Sequence, residues 1–168
     1  MIVILMGVTG TGKTTIGTLL SQRTGWPYAE GDDYHSEANK AKMHAGIPLT
    51  DEDRAPWLAV LHELLYGWYQ KGESGILACS ALKQSYRETL ASGIPHEAYH
   101  FVWLEAPREV IAERLAKRSG HYMNPALLDS QFATLEAPAD ALEILEKATP
   151  EETVELILKQ LLPDGRTV

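Results

Sequence analysis

The chain has 168 residues, 45% of them hydrophobic and 23% charged, with a formal net charge of −8. That is the size and balance of one soluble globular domain, and the acidic surplus argues against holding nucleic acid or an anionic membrane through bulk positive charge. One cysteine, Cys79, excludes an internal disulfide framework and suits a reducing compartment. The opening MIVILMG is apolar for only six residues before its glycine. It is short for a signal or a membrane span, so the expected location is the cytoplasm.

In chain order, Ile2–Met6 is a continuous aliphatic run, as expected of a strand buried on both faces of a parallel sheet. Ile16, Leu19 and Leu20 recur at helical spacing over Lys13–Arg23, and Gly25 stops them. A short strand at Tyr28–Glu30 and a short helix over Ala38–Met43 follow. Thr50 and Asp53 have the spacing of a capping box, and Asp51, Glu52 and Asp53 suit the positive end of a helix dipole. Trp57, Leu61, Leu64, Leu65 and Trp68 then line one helical face that Gly72 ends. Further strands are expected at Gly75–Cys79, Tyr99–Leu104 and Leu142–Leu145, with helices at Gln84–Leu90, Pro107–Arg118 and Glu151–Leu161. RSGHYMN, Arg118 to Asn124, reads as a polar loop. With no repeat or linker, the alternation predicts one domain over 1–168: a three-layer α/β/α sandwich around a mostly parallel five-stranded sheet.

GVTGTGKT, Gly7 to Thr14, satisfies G-x-x-x-x-G-K-[ST] between a strand and a helix, the context a P-loop needs. The glycines Gly7, Gly10 and Gly12 let the backbone curl, so that successive amides from about Gly10 to Thr14 point into one anion nest, within a nucleotide-binding stretch that includes Val8, Thr9, Thr11 and Thr15. Lys13 supplies a point charge for the β and γ phosphates, and the Thr14 hydroxyl can ligate Mg²⁺. ATP and Mg²⁺ are therefore the expected cofactors. The guanine-reading N-K-x-D of GTPases is absent, because NKAK lacks the Asp. GILACS does not end in the Asp of motor and transport ATPases.

Small-molecule kinases place a working carboxylate after the second strand, which selects Asp32 or Asp33 to orient and deprotonate an acceptor hydroxyl. Residues 31–58 also offer His35, Lys40, Lys42, His44 and Arg54. The Arg54 fork suits an anionic group on the acceptor, although it could equally pair with one of the capping acids. His44, His62, His96 and His100 carry no assignable pattern, and Cys79 reads as a small core residue.

Four segments together, GVTGTGKTT, GDDYHSEANKAKMHAGIPLTDEDRAPWL, CSALKQSYRETL and RLAKRSGHYMNPALLDSQFATLEAP, resemble the small gluconokinase family. The resemblance runs from Ile4 to about Pro138 and is most specific in the second block. Threonines stand at 9, 11 and 14 where the family usually has serines, and Tyr34-His35-Ser36 replaces its LHP. The family transfers the γ-phosphate of ATP to the 6-hydroxyl of D-gluconate. The resemblance implies that Asp32, His35, Arg54, Lys83 and Arg87 face the acceptor. Lys83 and Arg87, four apart, are expected on one helical face. It also implies a lid over about 118–130, in which Arg118 clamps the transferring phosphoryl group, Arg114 supports the nucleotide and His121 anchors the loop. A homodimer is expected on the same ground. A shikimate- or nucleoside-monophosphate-type kinase and a non-catalytic nucleotide switch are the alternatives.

Overall fold

The run at residues 2–6 forms β1 (Ile2–Met6), every residue of it buried. It lies at the centre of a five-stranded sheet in a computed structural model that describes residues 1–118, 125–145 and 149–165. The other strands are β2 (Tyr28–Glu30), β3 (Gly75–Ala78), β4 (Tyr99–Glu105) and β5 (Leu142–Leu145), in the order β2-β3-β1-β4-β5. All four pairings are parallel, with Ile4 opposite Leu77 on one side and Phe101 on the other. Parallel strands need crossovers, and the helices supply them: α1 (Lys13–Thr24), α2 (Glu37–His44), α3 (Asp51–Lys71), α4 (Gln84–Ala91), α5 (Arg108–Lys117), α6 (Pro125–Thr134) and α7 (Pro150–Leu161).

The alternating faces of β1 feed two cores. Ile2, Ile4 and Met6 join Trp57, Leu61, Leu65 and Leu90 of α3 and α4. Val3 and Leu5 join Ile16 and Leu20 of α1 and Val154 and Ile157 of α7. The three-layer sandwich expected from the sequence is thus present, and the sheet is wholly parallel. From β1 the chain crosses first to the β2 and β3 side and later to the β4 and β5 side. The carboxyl end of β1 is therefore the switch point where ligands bind in open α/β sheets.

Strand and helix ends agree with the sequence reading to within a residue or two. Helix α3 begins as predicted: the Thr50 hydroxyl accepts from the Asp53 amide, and the Asp53 carboxylate accepts from the Thr50 amide. Helix α6 was not expected, since its residues fell partly inside the anticipated lid. It starts at a proline, which suits a first helical turn. Its Leu128, with Phe132 and then Leu135, packs against Val8, Leu82, Ile111 and Leu115. His121 lies outside the described residues. No helix among the described residues is long and apolar enough to cross a membrane.

Candidate active site

Gly7 (φ 139°) and Gly10 (φ 82°) hold backbone angles that side-chain-bearing residues rarely adopt. A Cβ on Gly7 would stand 2.6 Å from the Leu104 carbonyl oxygen, and one on Gly10 would stand 2.9 Å from Ile111. Glycine is thus needed at both places for the loop to lie against β4 and α5. Thr11, buried, donates its hydroxyl to the Val8 carbonyl at 3.0 Å. The Lys13 ammonium donates to the carbonyls of Gly7 and Val8 at 2.8 and 2.9 Å. Burial lowers the pKa of Lys13; nearby Asp32 opposes the fall and Arg118 adds to it. Thr14 donates its hydroxyl to the Glu30 carboxylate at 2.8 Å, and Tyr28 donates to the same oxygen at 2.5 Å. The Thr9 amide donates to Oε1 of Gln131 on α6 at 2.7 Å.

A cleft of about 240 Å³ opens beside the loop, between the carboxyl ends of β4 and β5 and the start of α7. Gly12, Leu104, Glu105, Ile144 and Thr153 line it, and Arg114 and Arg118 stand at its edge. Arg114 also donates to the Gly10 carbonyl at 3.2 Å. Sequence reading assigned Arg114 and Arg118 to this side but left Leu104, Glu105, Ile144 and Thr153 unassigned, because strand ends and a helix start carry no motif. Burial and a hydrogen bond with Glu143 push the Glu105 carboxyl up to about 7.

The other side of the loop is a wall of interlocked side chains. Asp32 sits in a 3₁₀ turn, Gly31–Tyr34, just beyond β2. Surrounding protein raises its pKa, Lys13 pulls it down and Asp33 lifts it again. With 70% of the side chain open to solvent, hydration moderates that rise. His35 is buried, 7% exposed, and stacks on Trp57 with ring centroids 4.1 Å apart and planes 16° off parallel. Its Nε2 lies 3.9 Å from Asp32 Oδ1. Burial and the cations Arg54 and Lys40 press its pKa down to about 4, so the ring is neutral at physiological pH.

Arg54 donates from Nη1 to the Leu49 carbonyl at 2.7 Å and to the Tyr86 hydroxyl at 3.1 Å, and its guanidinium lies over the Tyr86 ring. Among the described residues it forms no ion pair with the capping acids, and Nε and Nη2 hold no hydrogen bond. Asp51, expected only to cap, accepts from Tyr86 at 2.5 Å and from Lys83 at 3.0 Å. Those two donors hold its carboxyl below the ordinary value.

The expectation that Lys83 and Arg87 share one helical face does not hold. Lys83 is the extended N-cap of α4 (φ −101°, ψ 149°), so helical periodicity does not run through it. Lys83 turns to Asp51, whereas Arg87 is buried, 4% exposed. The Arg87 fork donates to the carbonyls of Ala81, Leu82 and Glu136 and to the Gln84 side chain. These five bonds engage its Nε and both Nη atoms, leaving no N–H for an acceptor. Ala81, which Arg87 holds, has a positive φ of 46°.

The model of the shikimate kinase family matches residues 9–161. A gluconokinase of Gluconobacter oxydans (strain 621H) is 45% identical over 160 residues, 95% of this chain and 88% of that protein. A thermosensitive gluconokinase of Escherichia coli (strain K12) is 48% identical over 143 residues, 84% of this chain and 75% of that one. The crystal structure of a gluconokinase from Sinorhizobium meliloti 1021 superposes with a TM-score of 0.81 at 35% identity, covering 98% of this chain and 97% of that chain. With identity at this level over most of both chains, the chain belongs to the gluconokinase family, and its domain is of the shikimate kinase type.

Proposed function

We propose that this protein transfers the γ-phosphoryl group of ATP to the 6-hydroxyl of D-gluconate. One observation carries the reading: Asp32 stands just beyond the carboxyl end of β2, within electrostatic reach of Lys13 and 3.9 Å from the ring of His35, which in turn feels Arg54. A carboxylate there lies between a phosphate cradle and a cation that can receive an anionic acceptor.

In this reading Gly7–Thr15 hold the triphosphate through backbone amides and Lys13. The cleft at the ends of β4 and β5 takes the nucleoside, with Arg114 beside it. Thr14 and Glu30 offer a hydroxyl and a carboxylate oxygen side by side, a donor pair that suits a hard cation such as Mg²⁺. When bound, Mg²⁺ neutralises phosphate charge. Gluconate lies against Arg54, whose unengaged fork edge meets its carboxylate, with Lys83 at the rim. Asp32 orients the terminal hydroxyl and takes its proton as the bond to phosphorus forms. Arg118, at the end of α5, balances charge on the moving phosphoryl group. Arg87 serves the wall from behind by fixing the 81–82 backbone. The whole chain acts as one domain, with the acceptor segment at about 31–58. The resemblance to that family implies a homodimer, and the short apolar start of the sequence suits a cytoplasmic location.

The test is ADP release that depends on added gluconate, run beside shikimate, other sugar acids and nucleoside monophosphates. Turnover on shikimate or a monophosphate with none on gluconate overturns the proposal. ATP binding without turnover of any acceptor marks a nucleotide switch instead.

A further inference from the structure

Asn39 lies on α2, is 6% exposed, and takes no part in the roles above. Its Nδ2 stands 2.8 Å from the backbone carbonyl of Asp53, in the first turn of α3, and 3.3 Å from His35 Nδ1. A carbonyl only accepts, so the group facing Asp53 is the NH₂ end of the amide. Its second hydrogen then falls to His35, whose Nδ1 must accept. A neutral imidazole that accepts at Nδ1 carries its proton on Nε2. That nitrogen is the one 3.9 Å from Asp32 Oδ1, beyond direct hydrogen-bond reach. The ring cannot swing away, because it is stacked on Trp57, whose own Nε1 donates to the Gly31 carbonyl at 2.7 Å.

We propose that Asn39 is a positioning residue for phosphoryl transfer: it locks His35 as a neutral Nε2–H donor aimed at the gap beside Asp32, where an acceptor hydroxyl is held. The proposal rests on the reading of this wall as the acceptor site. A hydroxyl in that gap accepts from His35 through its oxygen and donates its proton to Asp32, so its lone pair and its hydrogen are both oriented. The opposite tautomer would set the Nε2 lone pair against the Asp32 carboxylate and the hydroxyl oxygen. The charged groups around the ring, Asp32, Arg54 and Lys40, include two cations that disfavour an imidazolium. The ring therefore remains a neutral donor through the physiological range.

Two measurements test this. Long-range ¹H–¹⁵N correlation spectra of the whole protein, without any acceptor, should show His35 as the Nε2–H tautomer at neutral pH. An Nδ1–H tautomer or an imidazolium there overturns the proposal. In steady-state kinetics, Asn39→Ala should lower kcat/KM for the acceptor on the order of tenfold while leaving the ATP KM within about twofold. In a His35→Gln background, where the amide supplies a donor without a tautomer, the same change should cost much less. Equal costs in both backgrounds would show that Asn39 does not act through His35. Absence of gluconate turnover by the unaltered protein would instead sink the function proposed above, leaving the tautomer spectrum standing.

Discussion

The phosphate cradle and the acceptor wall are built in different ways. The cradle is written in backbone: glycine angles, a carbonyl-anchored lysine and a threonine bonded back to the loop do the shaping. The wall is written in side chains that hold one another. Asn39 holds His35, Asp51 holds Lys83 and Tyr86, and Tyr86 holds Arg54. A backbone-built site leaves a short motif in the sequence, because only glycine meets the steric demand. A side-chain-built site leaves scattered residues whose partners come together only in the fold.

The largest expected effect is at the junction of the two. Asp32→Asn should lower kcat about 10²- to 10⁴-fold with little change in the ATP KM, and a loss below tenfold would remove Asp32 as the base. Next, Arg87→Ala should destabilise the protein by about 2–4 kcal/mol in urea unfolding, since it orphans buried carbonyls. Arg87→Lys should not restore it, because an ammonium lacks the fork that spans Ala81, Leu82 and Glu136. Full rescue by Lys would mean that charge alone is needed there. Arg54→Ala should raise the gluconate KM about tenfold to a hundredfold and leave the ATP KM unchanged. Equal shifts in both constants would dissolve the separation of wall from cradle.

A smaller effect tests the nucleotide side. Folded Glu105 keeps its proton up to about pH 7, whereas its ordinary value is 4.5. The folded state thus binds more protons than the unfolded state between those values. Stability should fall as pH rises through that window and level off above it. Glu143→Gln removes the like charge and should flatten the slope of Tm against pH; an unchanged slope would assign the rise to burial alone. Smallest of all, Thr9→Ser should leave the ATP KM within about twofold, as expected where the amide matters more than the side chain.

The same contrast explains what could be read in advance. The strands, the cradle and the start of α3 were legible because aliphatic runs, glycine spacing and a capping box each have a local cause. Arg87 was misread because i, i+4 spacing brings side chains together only if both residues are helical, and Lys83 precedes the helix. The nucleoside cleft was not legible, since ordinary residues such as Leu104, Ile144 and Thr153 define it by position alone. Helix α6 did leave a signal in Pro125 followed by Leu127, Leu128, Phe132 and Leu135, hidden by the expectation of a lid running to about residue 130. Asn39 could not be singled out, because its importance lies in where two acceptors sit around its amide.

The start of α3 carries a genetic consequence. Asp53 closes the capping box with Thr50, pairs with Lys42 at 2.9 Å, and lends its carbonyl to Asn39. Burdens so concentrated make the surrounding positions epistatic: a substitution at 42, 50 or 39 changes what a second one nearby can still lose. Laboratory variation across this segment should therefore be accepted in sets of compatible residues, while the exposed outer positions of the same helix drift one at a time.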